Sequence, residues 1–368
     1  MTELQYIQKL AKTNRTRAVS GYSTEVFMKS NDGLSYEGQL TLPLLSVEHP
    51  VHLTNILRER FTILDGIINA PAYEQFTIPK KRGGNRSITA PLNKTKAVQN
   101  RLNKYLQAYY SLLRPAASYG FIRASQHDTT PPSIMGNALP HVGQPHIYSL
   151  DLKDYFTNIT TKQVVRLFQS HLFDFNKPIA QALTLLVTFE GHLPTGAPTS
   201  PVIANLCTLQ LDHALMAFAT ENELNYTRYA DDMTFSSKSF IDTEMRLSIH
   251  HLIEAHGFHI NPKKIHYRHP HQQHRVTGII VNKKLNIDRK YLKNTCAMAH
   301  DLATNGLEQA TLKHFKLAPS EVSTLHYQSF IDHLMGRINF ICQVRGKDDP
   351  RVVRIYAQFE QHFHNLMT

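Results

Sequence analysis

Three carboxylates are placed where they can work together. Asp151 ends the apolar run HIYSLDL, and Asp231-Asp232 stand at the tip of NYTRYADDMTFSS, which reads as a hairpin. Carboxylates at the ends of adjacent strands converge, and hard divalent cations take oxygen ligands. Two magnesium ions about 3.5 to 4 Å apart can activate an attacking hydroxyl and stabilise the leaving oxygen of a phosphoryl transfer. Chance does not readily supply a Tyr-x-Asp-Asp tetrapeptide: with 16 Tyr and 15 Asp in 368 residues, random order yields it about 0.03 times. The other adjacent pair, Asp348-Asp349, reads as a solvated turn.

The elements that must position these groups follow from periodicity. Residues 1 to 70 read mostly helical, with Leu53, Ile56, Leu57, Phe61 and Leu64 at helical spacing. FTIPKKRGGNRSITAP reads as a hairpin whose glycines supply the positive φ of a tight connection. LNKTKAVQNRLNKYLQAYYSLL is an amphipathic helix, and Ser118 to Gly143 reads as a polar, Pro-interrupted loop. After the strand bearing Asp151, TKQVVRLFQSHLF and KPIAQALTLLVTF read as helices. GHLPTGAPTSP then opens a further helix, VIANLCTLQLDHALMAFATEN. SIHHLIEAHGF reads as a helix that returns to a strand at HINPKKIHY. Such an order gives an α+β sheet with helices on one face. From about Lys283 the chain reads as nearly all helix. Asp288 caps one helix ending near Asn305-Gly306, a long helix from Ser320 holds Gly336, where a backbone or nucleic-acid strand can approach closely, and Asp349-Pro350 starts the terminal helix.

Charge and composition narrow the partners. The 40 Lys+Arg against 29 Asp+Glu give +11, and Phe76 to Thr130 alone holds ten basic residues against one acid. Residues 1 to 50 hold five of each sign. A concentrated basic segment suits a phosphate backbone. No apolar run approaches the roughly 18 to 20 residues that span a bilayer, and MTELQYIQKLAKTNRTR lacks an apolar secretion core. Cys207, Cys296 and Cys342 lie far apart, so neither a disulfide framework nor a zinc knuckle follows, and a cytoplasmic location is expected. HYRHPHQQH invites a metal reading through His266, His269, His271 and His274, but no cysteine is near and Pro270 favours a solvated loop.

SLDLKDYF, LPTGAPTSPVIANL and YADD occur in the order and spacing of the palm motifs of reverse transcriptases, and GFHINPKK resembles the next palm motif. The similarity runs from about Ile78 to the C-terminus. It implies an α+β right-hand polymerase: an N-terminal helical extension at 1–50, fingers at 51–145, a palm at 146–282 with finger helices inserted at about 160–190, and a helical thumb at 283–368. NALPH, Asn137 to His141, resembles the NAxxH motif of bacterial retron reverse transcriptases, and RVTG, Arg275 to Gly278, contains their VTG signature. Two other readings stand beside this one. The first is another bacterial reverse transcriptase, related to group II introns or abortive infection, although no maturase or endonuclease extension is visible. The second is an inactive RNA-binding scaffold, against which the three aspartates argue.

The resemblance implies roles residue by residue. Asp151, Asp231 and Asp232 hold catalytic Mg2+, with the Leu152 carbonyl an extra ligand, and Asp154 is structural. Phe156 lies under the sugar, where a 2′-hydroxyl collides with the ring. Tyr229 and Ala230 line the primer terminus. Thr195, Gly196, Ala197, Pro198 and Ser200 contact the nascent pair and template, although many relatives have Gln at the position of Thr195. Arg86 with Lys80 or Lys81 clamps the triphosphate, since a guanidinium fork matches phosphate oxygens, and Lys264 lies near it. Asn137, His141, Val276, Thr277 and Gly278 hold structured RNA. The implied partners are a cognate noncoding RNA, deoxynucleotides, the RNA-DNA hybrid product and a separate effector protein of phage defence, with no membrane. A thumb of about 86 residues leaves no room for an RNase H domain, so a host RNase H is expected to trim the template.

Overall fold

The computed structural model describes residues 1–19, 33–80, 83–125, 128 and 131–367. Lys81, one of the two candidate triphosphate lysines, lies outside the described residues. The chain divides into two compact units, residues 1–133 with 148–267, and residues 134–147 with 268–368.

In the first unit, helices α1 (Glu3–Val19), α2 (Tyr36–Leu45), α3 (Leu53–Leu57) and α4 (Phe61–Asn69) precede the hairpin β1 (Tyr73–Pro79) and β2 (Asn85–Pro91). Antiparallel register sets Ile78 opposite Arg86, and Gly83 and Gly84 take the positive φ the connection needs. Helix α5 (Asn93–Leu113) buries Val98, Leu102, Leu106, Tyr109 and Tyr110 at helical spacing, against α2 among others. The N-terminal helix is tied to the same core. Arg15 donates to the carbonyls of Leu45 (2.6 Å) and Phe173 (2.8 Å).

Between Ser118 and Gly143 the chain is more ordered than the Pro-interrupted composition suggests. Ser118 forms a parallel bridge to Arg228, and the second unit opens with α6 (Ile134–Ala138) and a 3-10 turn over Leu139–His141. Strand β3 (His146–Asp151) follows, then α7 (Thr161–Gln169) and α8 (Lys177–Val187), each started by a side-chain cap, Thr160 and Asn176. The single helix expected after GHLPTGAPTSP is two, α9 (Ser200–Cys207) and α10 (Leu209–Glu221), bent by 49°. At the bend the Thr208 hydroxyl donates to the carbonyls of Ala204 and Asn205, and such back-bonding bends helices. By length and composition this bent pair alone could match a membrane span among the described residues, and its residues are largely core; no single helix there is long and apolar enough.

Strands β4 (Asn225–Tyr229) and β5 (Asp232–Ser237) form the expected hairpin, α11 (Thr243–Ala255) is capped by Asp242, and β6 (His266–Arg268) completes a four-stranded sheet of order β4-β5-β3-β6. HINPKKIHY is therefore not one strand. Pro262, which lacks a backbone donor, opens a 3-10 turn over Pro262–Lys264 that splits it.

In the second unit, the short strands β7 (Arg275–Val276) and β8 (Ile279–Ile280) lead into α12 (Arg289–Phe315), α13 (Thr324–Arg345) and α14 (Pro350–Met367). The Asp288 carboxylate accepts from the N–H groups of Lys290 and Tyr291, capping α12 as its sequence predicts. Gly306 breaks that helix with φ 78° and ψ 172°, and helix resumes beyond it to Phe315. Ala138, Ile147, Val276, Ile279 and Val281 share one core with apolar residues of these three helices.

Candidate active site

The sheet brings the three aspartates together. Asp151 is the last residue of β3, and Asp232 opens β5 opposite Tyr229. Ala230 and Asp231 make the turn between, with Ala230 in the left-handed region at φ 59°. The Leu152 N–H donates to the Asp231 carbonyl at 2.9 Å, which stitches the turn to the end of β3. On the other side, the Asn261 N–H donates to the Asp151 carbonyl at 2.8 Å and the Lys264 ammonium pairs with the Asp151 carboxylate at 2.6 Å. Asn261 also offers its side-chain amide to Asp151 at 3.4 Å.

Crowding of like charge shows in the protonation equilibria. Burial, then the charges of Asp231 and Asp151, push the Asp232 carboxyl up to about 6. Burial and the charge of Asp151 also raise Asp231, against the opposing pull of Lys264 and Arg86. Burial lowers the Lys264 ammonium, but its hydrogen bond to Asp151 and the charges of all three aspartates outweigh that and raise it. The site is therefore short of positive charge. Among the described residues no three His, Cys, Asp or Glu side chains are grouped as they stand so that they could hold a metal ion. The donors present are nonetheless carboxylate oxygens, the kind a hard divalent cation takes, and magnesium needs only a few of them because it keeps waters and substrate phosphates. The His266 to His274 stretch forms no such group either.

Behind the turn lies a support that sequence reasoning missed. Arg228 has no exposed surface and nevertheless satisfies its guanidinium. It donates to both carboxylate oxygens of the equally buried Asp212 (2.8 and 2.5 Å), to Asn205 Oδ1 (3.0 Å), to Tyr155 (3.1 Å), to Ser118 (3.3 Å) and to the Ala230 carbonyl (2.9 Å). A bare buried charge is very costly, so this paired, fully bonded arginine fixes where α10, α9 and the turn meet. Residues 117–121 run beside β4: the Arg228 N–H donates to the Ala117 carbonyl (2.8 Å), and the Tyr119 N–H to the Arg228 carbonyl (2.9 Å). Gly120 packs so closely that a Cβ there would lie 2.3 Å from the Ala230 nitrogen. Asn205 Nδ2 fixes the Gly120 carbonyl at 3.0 Å. The available signals were Arg immediately before Tyr-Ala-Asp-Asp and a lone Asp within an apolar helix.

The remaining candidates of the first unit divide. Phe156 is half-buried, its ring centroid 5.4 Å from that of Tyr155 and 5.8 Å from that of Phe121. Asp154 lies at φ 49°, and its backbone carbonyl accepts from the Asn158 N–H. Arg86 sits on β2 within electrostatic reach of Asp231. Lys80 stands at the hairpin end, its N–H donating to the Gly84 carbonyl at 2.8 Å. Thr195 and Gly196 dock onto β2: the Thr195 hydroxyl accepts from the Thr89 N–H (2.9 Å) and donates to the Ser87 carbonyl (3.2 Å), and the Gly196 N–H donates to the Thr89 carbonyl (2.9 Å). That hydroxyl's one proton is thus committed to the hairpin. A Cβ on Gly196 would meet Ala90 at 2.9 Å, so close packing explains the glycine.

The two short motifs at 137–141 and 275–278 come together in the second unit. The Thr277 hydroxyl donates to the Ile134 carbonyl (3.0 Å) and the Gly143 N–H to the Val281 carbonyl (2.8 Å). Asn137 lies on α6 and His141 in the 3-10 turn, both buried, and Thr277 and Gly278 make a left-handed turn at φ 44° and 86°.

Comparison with known proteins agrees with this geometry. Residues 78–281 match the family model described as reverse transcriptase (RNA-dependent DNA polymerase). The retron Ec86 reverse transcriptase of Escherichia coli is 30% identical over 300 residues, 79% of this chain and 82% of that protein. The retron Mx65 reverse transcriptase of Myxococcus xanthus is 32% identical over 261 residues, 66% of this chain and 58% of that protein. Among solved structures, a telomerase from Candida albicans overlaps 80% of this chain and 64% of that one, with 11% identity and a TM-score of 0.44, too distant to bear on the site.

Proposed function

Since the chain belongs to the retron reverse transcriptases, and so is an RNA-directed DNA polymerase, we propose that it copies part of one cognate structured noncoding RNA. Synthesis starts from a 2′-hydroxyl within that RNA and yields branched multicopy single-stranded DNA. The observation that carries the reading is that the 137–141 and 275–278 motifs lie in one unit, where Ala138 and Val276 share a core and Thr277 bonds to the Ile134 carbonyl at the start of the same helix. A left-handed turn at Thr277 and Gly278 presents backbone groups to a ligand; Gly278 adopts it freely, whereas the β-branched Thr277 is held there at a steric cost. Asn137, His141 and Val276 are buried, so they shape that RNA-holding surface from beneath.

In this reading, the fingers, palm and thumb have the boundaries given by the sequence. Asp151, Asp231, Asp232 and the Leu152 carbonyl hold two Mg2+ ions, which when bound supply an activated attacking hydroxyl and charge neutralisation at the departing pyrophosphate. Arg86 and Lys80 bind the triphosphate, and Lys264 lies close enough to the carboxylates to steady its charge. Phe156 excludes a 2′-hydroxyl, and Tyr229 with the small Ala230 supports the primer end. Thr195 and Gly196 act by fixing the β2 hairpin over the site rather than by a free hydroxyl. An antiphage role, a separate effector restrained by the hybrid product, and trimming by host RNase H belong to the same proposal.

The test uses purified protein, RNA transcribed from its own locus, and labelled deoxynucleotides without added primer. The reading expects DNA joined to that RNA through a bond that a 2′-5′ debranching enzyme releases. Extension only of added primers, on cognate and unrelated RNA alike, would overturn it.

A further inference from the structure

Phe121 is a large aromatic held at φ 61°, a conformation that side-chain sterics disfavour, and the residue is 39% exposed. Burial therefore does not explain the strain. Its backbone is fixed on both sides, by Asn205 Nδ2 on the Gly120 carbonyl (3.0 Å) and by Gln107 Nε2 on its own carbonyl (3.0 Å). Gly120, the residue before it, abuts the backbone of Ala230. The ring lies 5.8 Å from the Phe156 ring at 38°, and Phe156 leans on Tyr155. Strained, over-determined backbone of this kind is kept where a side chain must be aimed at a ligand.

We propose that Phe121 is a second specificity-determining residue, forming with Phe156 an aromatic corner that receives the deoxyribose of the incoming nucleotide. The inference rests on the reading of Phe156 as the ring under the sugar. A sugar lacking the 2′-hydroxyl offers an apolar edge that suits the exposed Phe121 and the half-buried Phe156 beside it, whereas a hydroxyl there would be desolvated without a partner. Phe121 also buttresses Phe156, so removing it lets that ring retreat from the 2′ position.

The experiment measures kcat/KM for dATP and for ATP on an RNA template in wild type, Phe121→Ala, Phe121→Leu, Phe156→Ala and the double Ala variant. The readout is the deoxy-to-ribo ratio, which a merely structural defect would not move because it slows both substrates. The expected result is a fall of roughly tenfold or more in the ratio for Phe121→Ala, and a double variant little worse than Phe156→Ala. Phe121→Leu, which keeps bulk, should fall less, and it alone carries the test at a smaller expected drop if the Ala variant does not fold. An unchanged ratio at position 121 with a collapsed ratio in Phe156→Ala would overturn this inference and leave the site reading intact. Unchanged ratios in every variant would overturn both.

Discussion

Replacing Gly120 by Ala should slow polymerisation without unfolding the protein. The added Cβ would stand 2.3 Å from the Ala230 nitrogen and 2.9 Å from the Tyr229 carbonyl carbon, both of them backbone atoms that cannot rotate away. Ordinary contact begins at about 3.5 Å, so the two segments must part by roughly 1 Å. The hydrogen bonds from Tyr119 to Arg228 and from Arg228 to Ala117 resist that movement on one side. On the other, the bond from Leu152 to the Asp231 carbonyl passes the displacement to the end of β3. Asp231 and Asp151 therefore lose register by a large fraction of an ångström, and a misplacement near 1 Å costs on the order of 100-fold in rate. The assay is steady-state extension of a primed RNA template, reporting kcat, with thermal unfolding measured in parallel. A folded Gly120→Ala protein with kcat within about threefold of wild type would refute the claim that this close approach sets the catalytic turn.

Asp212→Asn leaves the buried Arg228 guanidinium without its counter-charge, and should lower stability by about 3 to 5 kcal/mol in chemical denaturation; a loss below about 1 kcal/mol would mean the charge is met elsewhere. Because Asp232 sits near 6, apparent affinity for Mn2+ should rise between pH 5 and 7 with release of protons, seen by calorimetry in two buffers of different ionisation heat. A flat affinity over that range would contradict the carboxylate crowding. Burial pushes the His141 imidazole down to about 3, so the unfolded chain takes up its proton first as pH falls. Stability from this group is complete above about 6.5 and drains away toward about 3, and His141→Leu should flatten that part of the acid-denaturation profile.

Much of the site was legible because local rules governed it. Asp151, Asp231 and Asp232 lie where alternating strands and a tight turn put them, and Asp288 and Gly306 start and break a helix through their own chemistry. What escaped depended on distant partners. Nothing local marks Ser118 as the mate of Arg228, 110 residues away, or Phe121 as the neighbour of Phe156. The bend at Thr208 hid inside apolar periodicity that continues across it, and the buried turn of α6 looked like loop because proline and small polar residues surround it. Thr195 was expected at the nascent pair and template, and only the structure revealed that its hydroxyl is already used by Ser87 and Thr89.

The most direct test of the central claim is to purify the protein from cells carrying its native locus, beside the Asp231→Asn variant, and treat the bound nucleic acid separately with RNase and DNase. The account predicts a short, discrete DNA covalently joined to RNA in the wild type and RNA alone in the variant. Heterogeneous or absent nucleic acid, with primer extension on arbitrary RNA intact, would contradict it.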